Sequence, residues 1–170
     1  MSHPEAPWNL QGELIIVPTR MLGGVVLANY TSGTLAYHEL IVVSHATRRG
    51  MAISHIYVDD EQSLRGGREI WGLPKELATF TYERKRFEAR QDGPLLAARI
   101  RRRRGRLPLP VPAPIVSEKG AALGRAMVKA APALVTLEVP PESPLASLGL
   151  GGTYLALAGD ELRLTMPPPE

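Results

Sequence analysis

Short runs of β-branched and apolar residues, separated by turn residues, recur along this chain and constrain its fold more than any other feature. The first four runs cover residues 13–17, 24–30, 34–44 and 51–59. Further alternating runs follow residue 77, so the pattern predicts about nine or ten strands and at most two short helices. We therefore predict a mainly β fold, an antiparallel closed or cone-like β-barrel with one or two short helices, because closure removes exposed strand edges.

Two stretches outside these runs carry local predictions of their own. A short helix is expected after Asp59 or Asp60, either of which can cap it, and should end near Glu69. The turn sequence QDGP at residues 91–94 is predicted to divide the alternating stretch 78–103 into two antiparallel strands.

The second half of the chain is shaped by its prolines. The four prolines within residues 105–114 cannot donate ladder hydrogen bonds, so we predict a polyproline-like connector that lies over the surface or closes a pocket. Residues 122–139 fit a helix or a strand, although Pro132 argues against a helix. A short turn or helix should follow, and residues 153–166 are predicted to form a hairpin around residues 158–160.

The composition suits one globular domain that spans residues 1–170. Hydrophobic residues make up 44% and charged residues 22% of the chain, as in ordinary globular proteins. Cysteine is absent, which excludes disulfides and thiolate metal sites. The N-terminus lacks the apolar core of a signal peptide, and no run approaches the ~18 apolar residues of a membrane span. We expect a soluble, cytoplasmic protein.

The net charge of +3 comes largely from arginines clustered within residues 99–106, and such clusters can bind phosphate groups. Aromatic residues are only 5% of the chain and none lies in this cluster, so bases would find no stacking surface there. We interpret the cluster as a solvated strand end or hairpin rim, and nucleic acid is not an expected partner. The four histidines show no metal-ligand spacing, so neither a metal nor another cofactor is expected.

The sequence GGREIWGLPKELA at residues 66–78 places a lysine in an unusual setting. Pro74 restricts its own φ angle and pushes Leu73 toward an extended conformation, so Lys75 leaves the turn in a defined direction. Apolar neighbours would penalise the ammonium form and favour the neutral amine, a nucleophile that forms Schiff bases with ketones. The alternative is an ordinary solvated lysine that follows a turn.

Residues 67–78 resemble the signature of the acetoacetate decarboxylase family, in which GRE is followed by a short apolar or aromatic step and then PK. The resemblance implies a cone-like β-barrel in which Lys75 forms a Schiff base with a β-keto acid. A weaker likeness extends from about Gly12 to the end of the chain. Family members carry a second lysine after the catalytic one, whereas this chain has Glu76. That carboxylate would favour the charged ammonium unless the two side chains point apart.

The resemblance also implies an acid on a strand that precedes the lysine, and Glu39 is the matching position. There it would donate or accept the proton at the reacting carbon, although from its own sequence context an outward-facing surface position is equally open. The second acid of the family has no counterpart in residues 45–50, and Gly12 stands where the family has an arginine. Spacing gives no support to Arg20 as a substitute.

Three further residues of the motif are candidates for substrate binding: Arg68, Glu69 and Trp71. Arg68 is suited to a bidentate contact with a substrate carboxylate. The alternative for Arg68 and Glu69 is an ion pair that braces the end of the helix. Trp71 is one of the apolar neighbours expected around the lysine.

These features predict a decarboxylase that forms a Schiff base between Lys75 and a small keto acid. As the family resemblance implies, we expect a homo-oligomer. Aldol-type or dehydration chemistry through the same lysine stays open. The competing hypothesis is a non-catalytic barrel that binds a small carboxylic ligand, in which Glu76 pairs with Lys75 or water reaches it.

Overall fold

Eleven β-strands, one α-helix and two 3-10 turns make up the part of the chain that the computed structural model describes, residues 2–170 without the side chain of Met21. The strands are β1 (Trp8–Pro18), β2 (Gly24–Gly33), β3 (Tyr37–Ala46), β4 (Met51–Val58), β5 (Lys75–Leu77), β6 (Thr79–Tyr82), β7 (Arg86–Arg90), β8 (Pro94–Arg102), β9 (Leu107–Ser117), β10 (Gly120–Glu138) and β11 (Gly152–Met166). The helix α1 (Glu61–Trp71) lies between β4 and β5, and the 3-10 turns cover Arg20–Leu22 and Ala146–Leu148.

A closed ring of strands forms the body of the molecule. Hydrogen bonding follows the order β1, β2, β3, β4, β9, β10 and β11, and β11 pairs again with β1. Most neighbours are antiparallel, but β4 joins β9 in parallel through two residue pairs, Met51 with Ile115 and Ala52 with Val116. The predicted mainly β, closed fold is confirmed. No helix among residues 2–170 is long and apolar enough to cross a membrane.

A second layer of strands covers one side of the ring. The first half of β10 pairs with β9, and its second half pairs with β8, which continues into β7 and β6. Strands of the ring under this layer bury both of their faces. On β1, Leu14 belongs to the cluster inside the ring, whereas Ile15 and Val17 pack in the cluster beneath the second layer. Burial on both faces explains why this part of the sequence is nearly continuously apolar.

The proline-rich segment is a strand, not the predicted connector. Strand β9 pairs with β10 along its whole length. Its prolines occupy every second position, at Pro108, Pro110, Pro112 and Pro114. Because successive residues of a strand direct their N–H groups to opposite edges, the missing donors all fall on the edge away from β10. The intervening residues supply the donors that the pairing needs. As one of our alternatives anticipated, this segment also lines a pocket.

Two predicted hairpin regions differ from the structure in their number of turns. Residues 153–166 form one continuous strand rather than a hairpin, and the turn-like residues 158–160 lie beside a β-bulge where the register with β1 shifts. Glu161 at this bulge has a φ of 49°. Bulges and tight turns favour the same residue types, which explains the error. The predicted turn at residues 91–94 is confirmed between the antiparallel strands β7 and β8, but residues 78–103 form three strands rather than two, because the chain also turns between β6 and β7.

The remaining local predictions are confirmed. Helix α1 begins after Asp60, whose side chain accepts a hydrogen bond from the Ser63 backbone N–H at 2.7 Å. The ambiguous segment is the long strand β10. Pro132 lies between the residues of β10 that pair with β9 and those that pair with β8, so its missing N–H costs neither ladder a donor.

Candidate active site

A parallel crossover from β4 through α1 to β5 delivers Lys75 to the interior. Lys75 is the first residue of β5 and pairs with Ile56 of β4. The helix ends at Gly72, which adopts a left-handed conformation with a φ of 64° that favours glycine. The Lys75 backbone N–H then donates to the Leu73 carbonyl at 2.8 Å, closing a tight turn around Pro74. This turn sets the direction in which the lysine side chain leaves the backbone.

The glycine pair of the motif lets two side chains lie directly on the helix. A Cβ atom added to Gly67 would come within 2.5 Å of Lys75 Cε, and one added to Gly66 would come within 2.7 Å of Trp8 Cη2. Any larger residue at these positions would displace its neighbour. Glycine is therefore required here for close approach between the helix and the site rather than for an unusual φ angle.

The Lys75 ammonium is buried and held by two oxygen atoms. Its Nζ atom lies 3.0 Å from Glu39 Oε1 and donates to Ser63 Oγ at 2.9 Å. Lys75 and Glu39 are only 3% and 4% exposed, and Ser63 is fully buried. Ser63 precedes Gly67 by one helical turn, so the lysine chain passes over Gly67 to reach it. The ion pair is thus sealed between β3 and α1.

Aromatic rings surround this ion pair. The Tyr30 hydroxyl donates to Glu39 Oε2 at 3.1 Å. Lys75 Nζ lies 5.2 Å from the centre of the Tyr37 ring and 5.7 Å from that of Trp8, within the range of cation–π attraction. Each oxygen of the carboxylate therefore has one partner, and the ammonium also lies near two aromatic rings.

The two tyrosines are neutral. Burial raises the pKa of Tyr30 and of Tyr37 well above the ordinary value of 10.0, and the negative charge of Glu39 raises both further. Both hydroxyls therefore keep their protons across the physiological range. Tyr30 holds the carboxylate in place without competing with it as a base.

A cavity of 370 Å³ opens beside the ammonium inside the ring. Its wall comes from the inner face of β1 to β4, from β9 to β11 and from the end of α1. Among the described residues that line it, Lys75 and Glu39 carry the only charges, and Tyr30 and Tyr37 supply the only hydroxyl groups. The site therefore pairs one amine and one acid with an otherwise apolar chamber.

The candidate site residues divide into two groups. Lys75 and Glu39 are in contact, and Trp71 lines the cavity next to them. Arg68 and Glu69 are exposed and do not line the cavity. Arg68 Nε donates to the Lys75 carbonyl oxygen at 2.8 Å, and Glu69 contacts His3 Nε2 at 2.7 Å. The geometry gives no support to substrate contacts by these two residues, because the helix directs them outward. Arg68 instead braces the turn that carries the lysine.

Glu76 points away from the site. Adjacent residues of a strand face opposite sides, and the Glu76 carboxylate is exposed, where it accepts a hydrogen bond from Gln91 Nε2 at 3.1 Å. The carboxylate that contacts Lys75 is that of Glu39. The sequence neighbour of the lysine thus has no direct contact with its ammonium.

Sequence reasoning missed Ser63, Tyr30, Tyr37 and Trp8 as site residues. Two weak signals were present. Ser63 lies one helical turn before Gly67, and Tyr37 lies two residues before Glu39 on the same face of β3. Tyr30 pairs directly with Tyr37 across the β2–β3 hairpin, which only a known register reveals.

Two positions of the site lack the side chains that the family resemblance implies. The turn between β3 and β4 carries no carboxylate. At Gly12, a Cβ atom would collide with the Asn29 carbonyl group and come within 2.9 Å of Tyr30 Cα, so no side chain fits there. Among residues 2–170, no group of three or more acidic or histidine side chains is placed to hold a metal ion.

The fold and the site together define a closed, mainly β protein with a buried lysine–glutamate pair beside an apolar cavity. Comparison with known proteins gives this class a name. The family model for acetoacetate decarboxylase (ADC) matches residues 12–109, more than half of the sequence. The chain belongs to the acetoacetate decarboxylase family.

Individual relatives are similar over shorter segments. Acetoacetate decarboxylase 1 of Mesorhizobium japonicum is 39% identical over 62 residues, which are 36% of this chain and 24% of that protein. Acetoacetate decarboxylase 3 of the same organism is 40% identical over 40 residues, which are 24% of this chain and 16% of that protein. The matched segment thus spans a quarter or less of the length of these relatives.

Solved structures share the fold over nearly the whole chain. Acetoacetate decarboxylase from Legionella pneumophila aligns with a TM-score of 0.66 at 18% identity, covering 99% of this chain and 88% of that one. The enduracididine biosynthesis enzyme MppR, complexed with pyruvate, aligns with a TM-score of 0.60 at 12% identity, covering 98% and 89%. At these identities, the likeness establishes the fold alone.

Proposed function

We propose that this protein is a Schiff-base enzyme in which Lys75 captures the carbonyl group of a small keto acid, with decarboxylation as the default reaction. The observation that carries the proposal is the buried contact of 3.0 Å between Lys75 Nζ and Glu39 Oε1 at the wall of a cavity. An amine held next to a proton acceptor and out of water is suited to nucleophilic attack.

The first step forms the imine. Glu39 takes a proton from the ammonium, and the freed lone pair of Lys75 Nζ attacks the keto carbon. Glu39 then gives this proton to the hydroxyl group of the carbinolamine, which leaves as water, and a protonated imine links Lys75 to the substrate. Ser63 and Tyr30 act as positioning residues, since one holds Nζ and the other holds the carboxylate.

The second step releases carbon dioxide. The bond between the α-carbon and the carboxylate breaks, carbon dioxide departs, and the electron pair moves into the protonated imine to give an enamine. Glu39 takes up a proton from solvent water and transfers it to the α-carbon, and water then hydrolyses the protonated imine to a ketone and the Lys75 ammonium. No described side chain in the cavity other than Lys75 is cationic, so the substrate carboxylate is poorly stabilised there, which favours its loss as a neutral gas.

The surroundings of Lys75 support a catalytic protein over a non-catalytic one. The competing hypothesis required either pairing with Glu76 or access of water to the ammonium. Glu76 contacts Gln91 instead, and Lys75 is 3% exposed.

Aldol-type condensation is the second candidate function. The site has one acid, and the second acid of the family signature is missing from the turn between β3 and β4. One structural neighbour, MppR, has been solved with the condensation product of pyruvate and imidazole 4-carboxaldehyde. Condensation uses the same enamine but adds it to an aldehyde instead of a proton. Assembly into a homo-oligomer and a cytoplasmic location stay predictions.

Reductive trapping tests the proposal. The protein is incubated with a panel of keto acids and borohydride, and the adduct is located by peptide mass mapping. We expect one adduct, on Lys75, and none in the Lys75→Met variant, whereas Lys129→Met, which changes an exposed lysine outside the cavity, should react normally. Absence of an adduct with every keto acid, or an adduct at another lysine, would refute the proposal.

A further inference from the structure

The cavity continues well beyond the reactive lysine, and its far part is apolar. Along β3, Ile41 and Val43 follow Glu39 on the inner face, and Met51 and Ile53 of β4 lie on the same wall. At ~3.3 Å per residue, the stretch of β3 from Glu39 to Val43 is ~13 Å long. A ligand anchored at Lys75 therefore has a long apolar surface beside it.

The volume of the cavity exceeds the needs of a short keto acid. Its 370 Å³ falls within the range of pockets that hold drug-sized ligands. A four-carbon keto acid would fill only about half of this space, if each non-hydrogen atom occupies about the volume of one water molecule. The remaining space adjoins side chains that gain from contact with hydrocarbon.

Beyond Lys75, Glu39 and the two tyrosines, the described wall of the cavity offers no free polar side chain. Trp8 and Trp71 line it, but their indole N–H groups donate to backbone carbonyls, at 3.0 Å to Pro4 and 2.7 Å to Pro167. A second carboxylate, a phosphate or a sugar hydroxyl would be buried there without a described hydrogen-bond partner, which costs several kcal/mol. Dicarboxylic, phosphorylated and polyhydroxylated substrates are thus disfavoured.

An apolar side chain also lies where the cavity meets solvent. Leu22, on the 3-10 turn after β1, lines the cavity although it is 81% exposed, and its φ of 59° is unusual for leucine. An exposed leucine held in this conformation presents hydrocarbon to an incoming ligand.

We propose that the substrate of this site is a keto acid that bears a long apolar tail, an alkyl chain or an aromatic ring, on the side of the keto carbon away from the carboxylate. The inference rests on the proposed Schiff-base function, and its covalent steps are the same: water leaves as the imine forms, carbon dioxide leaves from the α-carbon, and a proton and water complete the turnover. The tail takes no part in bond making. It contributes binding by burial against Ile41, Val43 and their neighbours.

Binding and turnover should therefore depend on tail length. Each methylene group buried in the cavity tightens binding about fourfold, until the space is filled. We would measure carbon dioxide release, and reductive trapping on Lys75, for β-keto acids whose unbranched tails grow by one methylene at a time. The KM should fall about fourfold per methylene over several steps and then rise sharply.

Intrinsic fluorescence gives a second measure that does not depend on decarboxylation. The chain has two tryptophans, Trp8 and Trp71, and both line the cavity. Titration with methyl ketones that carry the same tails should change their emission, with a dissociation constant that follows the same dependence on length.

Matched variants test where in the cavity the apolar tail of the substrate binds. Ile41→Phe and Val43→Phe fill the far part of the cavity, so they should abolish the gain in binding with tail length. Leu155→Phe adds the same ring at an exposed position on β11 outside the cavity and should behave like the parent protein. Circular dichroism confirms that each variant is folded.

The outcomes separate the two proposals. A steady gain with tail length that Ile41→Phe removes supports the apolar-tail substrate. Adducts on Lys75 that form equally well or better with the shortest keto acid overturn it and leave the Schiff-base function intact. Length-dependent fluorescence without an adduct at any length overturns the Schiff-base function and leaves the preference for an apolar tail.

Discussion

The position of the Lys75 side chain is set by close contacts with three residues. Gly67 leaves room for its methylene chain, and Ser63 accepts a hydrogen bond from its ammonium at 2.9 Å. Glu39 completes the arrangement at 3.0 Å from the other side. The site therefore depends on a few close contacts, each of which one substitution can remove.

Substitution of Glu39 and of Glu76 should distinguish the roles of the two glutamates near the lysine. Glu39→Gln keeps the volume but removes the proton acceptor, so we expect the decarboxylation rate to fall by about 10²–10⁴-fold. Glu76→Gln should leave the rate nearly unchanged, because Glu76 is exposed on the opposite face. Steady-state kinetics with a keto acid that forms the adduct on Lys75 provide the measurement. Equal losses in the two variants would contradict the assignment of Glu39.

Gly67→Ala should displace the lysine without unfolding the helix. The new methyl group would meet Lys75 Cε, and a misplacement of about 1 Å commonly costs about 100-fold in rate. Alanine is also the better helix former, by about 1 kcal/mol, which offsets part of the strain. Kinetics and thermal unfolding would be compared with Gly93→Ala, where a Cβ atom meets nothing within 4 Å. An active Gly67→Ala protein would show that the close packing is dispensable.

At the residue scale, the family resemblance predicts Lys75 and Glu39 as partners, and the structure places their side chains in contact. The contacts of Ser63 and Tyr30 with this pair could not be predicted, because they depend on distances across the fold. The geometry does not support the predicted substrate contacts of Arg68 and Glu69, because a motif shows which residues are near in sequence but not which side of the helix they occupy.

Strand β9 illustrates how a local rule holds even where a prediction based on it fails. Proline cannot donate to a ladder, and in β9 no proline has to, because all four share one edge. The spacing of the prolines, rather than their number, was the informative signal. The helix was easier to predict because its cap is read from adjacent residues.

Adding a proline at an intervening position of β9 should therefore lower stability far more than removing one of the existing prolines. Val111→Pro deletes a donor to β10 and should lower the free energy of unfolding by about 1–3 kcal/mol. Pro110→Val restores an N–H on the opposite edge and should change it by less than about 1 kcal/mol. Chemical denaturation of both variants provides the comparison. The reverse order would refute the edge assignment.

The strand pair that closes the ring could not be predicted from the sequence. The recurring strand pattern indicated a closed β fold, but the seam between β4 and β9 consists of two parallel pairs that no sequence pattern marks. The second layer was likewise hidden, since apolar residues on both faces of β1 show that the strand is buried but not what covers it. Long-range pairing is set by the fit of the complete chain.

Alkaline pH should destabilise the whole fold through its buried tyrosines. The folded protein raises the pKa of Tyr30 and Tyr37 above 10.0, so their contribution to stability is complete below pH 10 and is lost as pH rises toward the folded values. Tyrosinate absorbance and unfolding should therefore rise together above pH 10. The variant with Tyr30→Phe and Tyr37→Phe should show a shallower loss of stability in the same range. An unchanged slope would mean that other groups govern the transition.

The contact between Lys75 and Gly67 has a stereochemical consequence. A lysine that rests on a helix backbone has little freedom to rotate, so an enamine formed on it presents one fixed face to Glu39, the single acid in the described cavity wall. A substrate with two different groups on its α-carbon would then receive its new hydrogen from that face alone. Chirality in the product would be inherited from Gly67, a residue that carries no side chain at all.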